Sequence, residues 1–337
     1  MDTKILQSFR ENLQRRRQNL VDWLQRTPAA KKKIHLGPAD EKAARSHLQT
    51  LDTALVKADN KTLGRCEVCH DYVETDRLEM DFTACVCIDH YSPEQKRQLE
   101  AELELSHKVQ KSLLPQQLPN IPGLQIAAFI QPAEIVGGDY FDFFRFRDGA
   151  HGWAIADVMG KGLPASMLMA SLQAALRILV PEHESPAEVV RRLNALFCHN
   201  VHLIRFITLF LVRYDPQTRV LEYCNAGHHP PLLHKHGEAH WLKPTGAAIG
   251  LTESFTFGNE TVQLAGGEVL LFYTDGVTEA MNAYNEEFGE QRLAELVRTN
   301  VQKPPRALLE TLRSALREFA GAAPQDDITI ITGKVEG

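Results

Sequence analysis

The stretch Ile135-Val136-Gly137-Gly138-Asp139-Tyr140-Phe141-Asp142, answered by Ala156-Asp157-Val158-Met159-Gly160-Lys161-Gly162, decides how the rest of this 337-residue chain is read. In each segment an apolar run meets an acid beside glycine, as a strand end does when it presents a carboxylate to a ligand. Two similar acids follow far downstream: Asp275 in Tyr273-Thr274-Asp275-Gly276, and the pair Asp326-Asp327 in front of Ile328-Thr329-Ile330. Four separated strand-edge carboxylates suggest one metal site. Carboxylates that converge without neutralising cations repel one another, and hard oxygen donors of this kind suit Mg2+ or Mn2+. Gly138, Gly160 and Gly276 let backbone approach closely and leave carbonyls and waters available as ligands. Two ions so held would polarise a phosphoryl group and activate a bridging water, with no need of a protein nucleophile.

Around these acids the sequence from Leu124 onward consists of short β-rich runs separated by Gly and Asp. Apolar alternation predicts strands over 125–131, 140–147, 153–158, 206–214, 220–225, 232–234, 239–242, 260–264, 269–274 and 328–334. Helix pairs are predicted at 164–180 with 186–200, and at 291–299 with 305–320. Strands in two sets with helix pairs between them predict an α+β fold, a β-sandwich flanked by helices in an αββα arrangement. No G-x-x-x-x-G-K-[ST] loop is present, so nucleotide binding of that class is not indicated.

Upstream the texture is helical. Ile5, Leu6, Phe9, Leu13, Leu20, Trp23 and Leu24 carry a helical rhythm over 3–26, closed by Pro28. A connector through Lys31-Lys32-Lys33 and Gly37-Pro38 leads to a second helix over 39–60, which predicts an antiparallel helical hairpin. Residues 1–65 hold 14 Lys/Arg against 7 Asp/Glu, although the whole chain has a net charge of −6. This basic front is read either as the solvated face of helices or as a surface for an acidic partner. Hydrophobic content of 44% and charge of 24% describe an ordinary globular protein. No apolar run approaches the roughly 20 residues that cross a bilayer, and no signal-peptide core follows Met1, so a cytoplasmic location is expected.

Four of the six cysteines, Cys66, Cys69, Cys85 and Cys87, fall in one short window. Taking Cys66, Cys69, Cys87 and His90 gives C-x2-C-x17-C-x2-H, two chelating turns of the kind that hold a tetrahedral structural Zn2+. Cys85, two residues from Cys87, is the alternative to His90 as fourth ligand. From Ser92-Pro93 a charged helix runs to Pro115 with Leu99, Leu103, Val109 and Leu113 as an apolar stripe. Such a stripe serves either packing within the chain or a parallel dimeric coiled coil. The expected organisation is a helical hairpin with zinc finger over 1–92, a coupling helix over 93–115 and a third region over 116–337.

Two resemblances can be set on these residues. Residues 1–92, through His47-Leu48, Leu51-Asp52-Thr53-Ala54-Leu55, Gly64-Arg65-Cys66-Glu67-Val68-Cys69, Asp76-Arg77-Leu78-Glu79 and Cys87-Ile88-Asp89-His90, resemble the DksA/TraR zinc-finger proteins. Some members of that family insert a hairpin tip into RNA polymerase; here the hairpin is short, with Asp40 and Ala43 near its tip. The second resemblance spans about 106–335: Gln110-Lys111-Ser112-Leu113-Leu114-Pro115, Gly137-Gly138-Asp139-Tyr140-Phe141-Asp142, Asp157-Val158-Met159-Gly160-Lys161-Gly162-Leu163-Pro164-Ala165, Asn225-Ala226-Gly227-His228-His229-Pro230-Pro231-Leu232, Tyr273-Thr274-Asp275-Gly276-Val277-Thr278-Glu279-Ala280 and Asp326-Asp327-Ile328-Thr329. As an ordered set these resemble the SpoIIE-type serine phosphatases of the metal-dependent PPM (2C-like) superfamily.

That resemblance implies a two-ion Mn2+ or Mg2+ centre. Asp139, Asp157, Asp275 and Asp326 would be its catalytic ligands, Asp157 bridging both ions, with the Gly160 neighbourhood shaping the loop and Asp327 and Asp142 supporting. It also implies His228 and His229 at a structural corner, and Lys161 either toward substrate phosphate or at the surface. The substrate it implies is a phosphorylated anti-anti-sigma-like protein in partner switching. The expectation is a cytoplasmic, homodimeric protein phosphatase governed by its zinc module. The alternative is a transcription regulator acting on RNA polymerase, with the 116–337 region as a degenerate phosphoprotein-binding module.

Overall fold

The computed structural model describes residues 3–26, 40–74, 77–78, 81–200, 206–321 and 324–337. The connector at 27–39, together with Asp76 and Glu79, lies outside the described residues. The chain divides into two compact units, Met1–Ala101 and Glu102–Gly337.

In the first unit, helices α1 (Thr3–Arg26) and α2 (Asp40–Asp59) pack through Leu13, Leu51, Ala54 and Ala58. Arg10 pairs with Asp59 and Arg17 with Asp52, so the residue numbers run in opposite senses and the pair is antiparallel, as the periodicity predicted. Below it, Cys66, Val73, Leu78, Ala84 and Cys87 form a small separate core. Helix α3 (Pro93–Leu113) begins with a reciprocal cap. The Gln95 N–H donates to Ser92 Oγ at 3.2 Å and the Ser92 N–H donates to Gln95 Oε1 at 3.0 Å, satisfying two otherwise orphaned donors.

Among the described residues the second unit has ten strands: β1 (Leu124–Gln131), β2 (Tyr140–Arg145), β3 (His151–Val158), β4 (Ile207–Asp215), β5 (Val220–Ala226), β6 (Leu232–Lys235), β7 (Glu238–Trp241), β8 (Glu260–Gln263), β9 (Val269–Tyr273) and β10 (Ile328–Val335). They form two five-stranded sheets, ordered β1-β10-β9-β6-β7 and β2-β3-β4-β5-β8, with antiparallel neighbours throughout. The helices are α4 (Gly162–Leu179), α5 (Pro186–Asn200), the single turn α6 (Asp275–Thr278), α7 (Gly289–Asn300) and α8 (Pro305–Ala320).

Period-two alternation explains the layers. On β9, Leu270 and Phe272 face the opposite sheet, where they meet Trp153, Ile155 and Phe210. Val269, Leu271 and Tyr273 face outward and pack on Leu293, Val297, Leu308 and Leu312 of α7 and α8. On β3, Ala154, Ala156 and Val158 turn outward to Met169, Leu172 and Leu176 of α4 and to Val189, Val190 and Leu193 of α5. The Trp153 and Phe272 rings meet edge-on at 5.6 Å between the sheets. The αββα sandwich expected from the sequence is therefore the fold.

Two local expectations change. β2 stops at Arg145, two residues before the expected end at Arg147, because the Phe146 N–H donates to Ala150 O and closes the hairpin turn. The segment Gly162–Glu182 is by length and composition apolar enough to cross a membrane, contrary to the reading that no run comes close. Here Ala165, Met169, Leu172 and Leu176 bury its inner face in the core, which is why its composition is apolar.

Candidate functional site

The acids are brought together by register. Tyr140 lies opposite Ala156 in the β2–β3 ladder, so Asp139 and Asp157 come side by side one step beyond and at the end of that pair. In the other sheet β9 runs out at Tyr273 against Ile330, which leaves Thr274, Asp275, Asp326 and Asp327 at the matching end. Asp139 thus comes from the edge strand β2, whereas Asp157, Asp275 and Asp326 come from strands central or next to central.

Asp139 is 3% exposed. Its Oδ2 accepts from Thr274 Oγ1 at 2.8 Å and from Thr329 Oγ1 at 2.6 Å, whereas Oδ1 is buried with no partner among the described residues. Burial, then the charges of Asp157 and Asp327, push its carboxyl well above the ordinary range. Burial, Asp275 and Asp326 likewise raise Asp157 to about 7. Asp275 is raised too, by burial first. A buried carboxylate with an unpartnered oxygen, among neighbours that disfavour its charge, offers a hard anionic donor, so the donor set fits a hard divalent ion.

Asp157, Asp275 and Asp326 line one cavity of about 240 Å³ with Gly160, Lys161, Thr208, His228 and His229. Asp139 instead faces a neighbouring cavity of about 220 Å³, lined also by His107, Gln110, Lys111 and Gly137. Lys161 is half-exposed; its Nζ pairs with Asp326 at 2.9 Å and donates to Gln325 O at 2.7 Å. The remaining expected residues separate by role. Asp327 accepts from the backbone N–H groups of Ala133, Gly138 and Asp139 and so fixes the loop that carries Asp139. A Cβ at Gly137 would lie 2.1 Å from Asp327 Oδ2, and one at Gly276 2.1 Å from Asp327 O, which is why both positions are glycine. Asp142 points elsewhere: it takes a two-pronged contact from Arg177 and a bond from Tyr140 Oη, tying α4 to β2.

His228 is buried, with Nδ1 2.9 Å from Thr208 Oγ1, and burial followed by His229 lowers it to about 3. It is neutral at physiological pH and suits a structural corner rather than a general acid. Sequence reading passed over the Thr274 and Thr329 hydroxyls, whose only signal was a polar residue at an inward strand position. It also quoted Gln110 without a role. Gln110 Nε2 donates to Gly137 O at 2.6 Å and the Gly137 N–H donates back to Gln110 Oε1 at 3.1 Å, a buried two-point clamp from α3 onto the Asp139 loop.

In the first unit, Cys66, Cys69, Cys87 and His90 bring one donor atom each within 4.8 Å of the others, without Cys85. The sulfurs of Cys66 and Cys87 are 3.6 Å apart, those of Cys69 and Cys87 3.7 Å, and His90 Nδ1 is 2.8 Å from Cys87 Sγ and 3.9 Å from Cys66 Sγ. A tetrahedron with bonds of about 2.3 Å puts sulfurs about 3.7 Å apart, so the cluster fits Zn2+. Backbone N–H groups, that of Cys69 foremost, draw the Cys66 thiol down to about 6, whereas burial and the neighbouring thiols push Cys87 up to about 11. Cys85 stands apart, its thiol raised by burial and by Glu67.

The family model described as Stage II sporulation protein E (SpoIIE) matches residues 147–336, more than half of the chain. Over 258 residues the chain is 32% identical to protein IcfG of Synechocystis sp., covering 68% of this chain and 41% of IcfG. Over 238 residues it is 27% identical to the phosphoserine phosphatase RsbU of Bacillus subtilis, covering 70% of each. The chain therefore spans less than half the length of IcfG. Among solved structures, the SiaA-PP2C domain of Pseudomonas aeruginosa matches with a TM-score of 0.64 at 24% identity, over 72% of this chain and 98% of that domain.

Proposed function

Because the chain belongs to the SpoIIE family, we propose that it is a metal-dependent protein serine/threonine phosphatase acting in bacterial signalling. The observation that carries this reading is the set Asp139, Asp157, Asp275 and Asp326, gathered from the ends of two sheets, with Asp139 buried and one of its oxygens unpartnered. These four acids, with Gly160 backbone, would hold Mn2+ or Mg2+. Such ions supply a Lewis acid for the phosphoryl oxygens and a hydroxide equivalent at neutral pH.

The chain's own groups prepare that site. Thr274 and Thr329 hold one oxygen of Asp139 and leave the other turned to a ligand. Asp327 and Gln110 together lock residues 133–139, so the ligand oxygen is set before an ion arrives. Lys161, half-exposed and paired with Asp326, lines the same cavity and is a positive group there for an incoming phosphate. The Thr208 hydroxyl is engaged by His228.

Similarity to the phosphoserine phosphatase RsbU supports a phosphoserine or phosphothreonine substrate, which we take to be a small anti-anti-sigma-like protein. The organisation we propose is a zinc-bearing regulatory region over 1–92, a coupling and dimerising helix over 93–115, and the catalytic region over 116–337, in a cytoplasmic homodimer. The Gln110 clamp supports a regulatory role for that helix, since it links α3 to the loop bearing Asp139. The test is Mn2+-dependent release of phosphate from p-nitrophenyl phosphate and from phosphorylated anti-anti-sigma proteins. Hydrolysis that requires the ion and is lost in Asp157→Asn agrees with the proposal; ion-independent binding without turnover contradicts it.

A further inference from the structure

Two side chains outside the carboxylate set, His229 and Glu279, close on one of its members, Asp275. Asp275 and Glu279 stand four residues apart across α6, and the Glu279 N–H donates to Asp275 O at 2.8 Å, so the two carboxylates rise on one side of the same turn. His229 comes in from the corner after β5, its ring set against Tyr273 with centroids 6.2 Å apart. One donor atom from each of His229, Asp275 and Glu279 lies within 4.8 Å of the other two. His229 and Asp275 line the cavity that also holds Asp157 and Asp326. Among the described residues no lysine or arginine forms an ion pair with Asp275 or Glu279, the nearby Lys161 being taken by Asp326.

We propose that the ion held by Asp275 is also bound by His229 and Glu279, and that this imidazole nitrogen makes the site select Mn2+ over Mg2+. The inference rests on the reading of the acids as metal ligands and adds a specificity-determining residue to it. Imidazole suits transition ions, whereas Mg2+ takes oxygen donors and gives up its waters reluctantly. A purely carboxylate site discriminates between the two weakly; one nitrogen donor shifts the balance. A tilted ring contact with Tyr273 and the short α6 turn bring the three donors together.

The test is pulsed electron paramagnetic resonance on full-length protein whose cysteine cluster is first filled with Zn2+ and which is then loaded with Mn2+. The expected result is nitrogen-14 coupling to the bound Mn2+, lost in His229→Asn. Titration calorimetry should show Mn2+ affinity falling about tenfold or more in that variant, while Mg2+ affinity is kept. Glu279→Gln should weaken both ions and retain the nitrogen coupling, which keeps the test open should His229→Asn misfold. Mn2+ bound without nitrogen coupling, coupling that survives in His229→Asn, or equal loss of Mn2+ and Mg2+ would overturn the assignment. If hydrolysis persists under any of these, only the His229 assignment fails; if no ion binds and no phosphate is released, the phosphatase reading fails with it.

Discussion

The cysteine cluster and the acid site are two metal-type centres assembled by opposite means. Cys66, Cys69, Cys87 and His90 lie within 25 residues, on turns such as that in which the His70 N–H donates to Cys66 O and the His90 N–H to Cys87 O. The acids span Asp139 to Asp326 and meet only when two sheets form with correct register. A chelating turn needs its ion in order to be a fold, since its small core holds few apolar residues. The acid site has a full sandwich beneath it, so the fold stands first and the mutual repulsion of its carboxylates is tolerated until an ion neutralises them. On the proposed reading one centre would be folded by its ion and the other relieved by it.

Substitutions and pH can break this comparison. The largest effect expected is on catalysis: Asp157→Asn should reduce metal-dependent hydrolysis by on the order of a thousandfold in a steady-state assay while zinc content, measured by atomic absorption, stays at the parental level. Next is the response to zinc removal. Cys66→Ser, or a strong chelator, should unfold residues around the cluster, seen as lost amide-exchange protection over 60–90, with protection in the sandwich strands retained.

Stability in the absence of Mn2+ or Mg2+ gives the third test. Asp157 is raised in the folded protein to about 7. Between the unfolded carboxylate value and that value the folded state binds more protons, so stability falls as pH rises through the interval and stays low above it. Asp157→Asn should therefore raise the melting temperature of ion-free protein at pH 7.5 by several degrees, with a much smaller gain at pH 4.5, as read by calorimetry. The sign reverses when Mn2+ is present, because the parent then gains ligand binding that the variant loses.

A smaller change is expected from Gln110→Ala, which leaves the Gly137 N–H and C=O without their buried partner. That should cost about 1–3 kcal/mol in chemical denaturation and weaken Mn2+ binding through a looser Asp139 loop. Smallest of all, Arg17→Ala breaks a partly exposed pair with Asp52 and should shift stability by no more than about 1 kcal/mol.

The layers of the sandwich were legible because Val269-Leu270-Leu271-Phe272-Tyr273 and its neighbours are apolar runs bounded by turn residues, and each run needs cover on both faces. The zinc-type set was legible from spacing alone, since two C-x2-[CH] turns are local geometry. The grouping of Asp139 with Asp275 was not: it depends on strand order β1-β10-β9 against β2-β3, which a pattern of alternation does not encode. It was suggested by acids beside glycine at strand ends and by family resemblance, with no geometry behind it. The α6 turn escaped because four residues are too few to show a helical period, and with it went the juxtaposition of Glu279 and His229. Thr274 and Thr329 read as ordinary strand polar residues until their cross-strand pairing put both hydroxyls on one carboxylate oxygen.

Mn2+ titration of zinc-loaded but otherwise ion-free protein, followed in the same samples by phosphate release from a phosphoserine protein, is the most direct trial of a centre shared between two sheets. Saturable Mn2+ binding beyond the zinc content, hydrolysis that rises with occupancy, and loss of both in Asp157→Asn and in Asp275→Asn are the predicted results. Full hydrolysis in either variant, or no Mn2+ bound beyond the cysteine cluster, would contradict it.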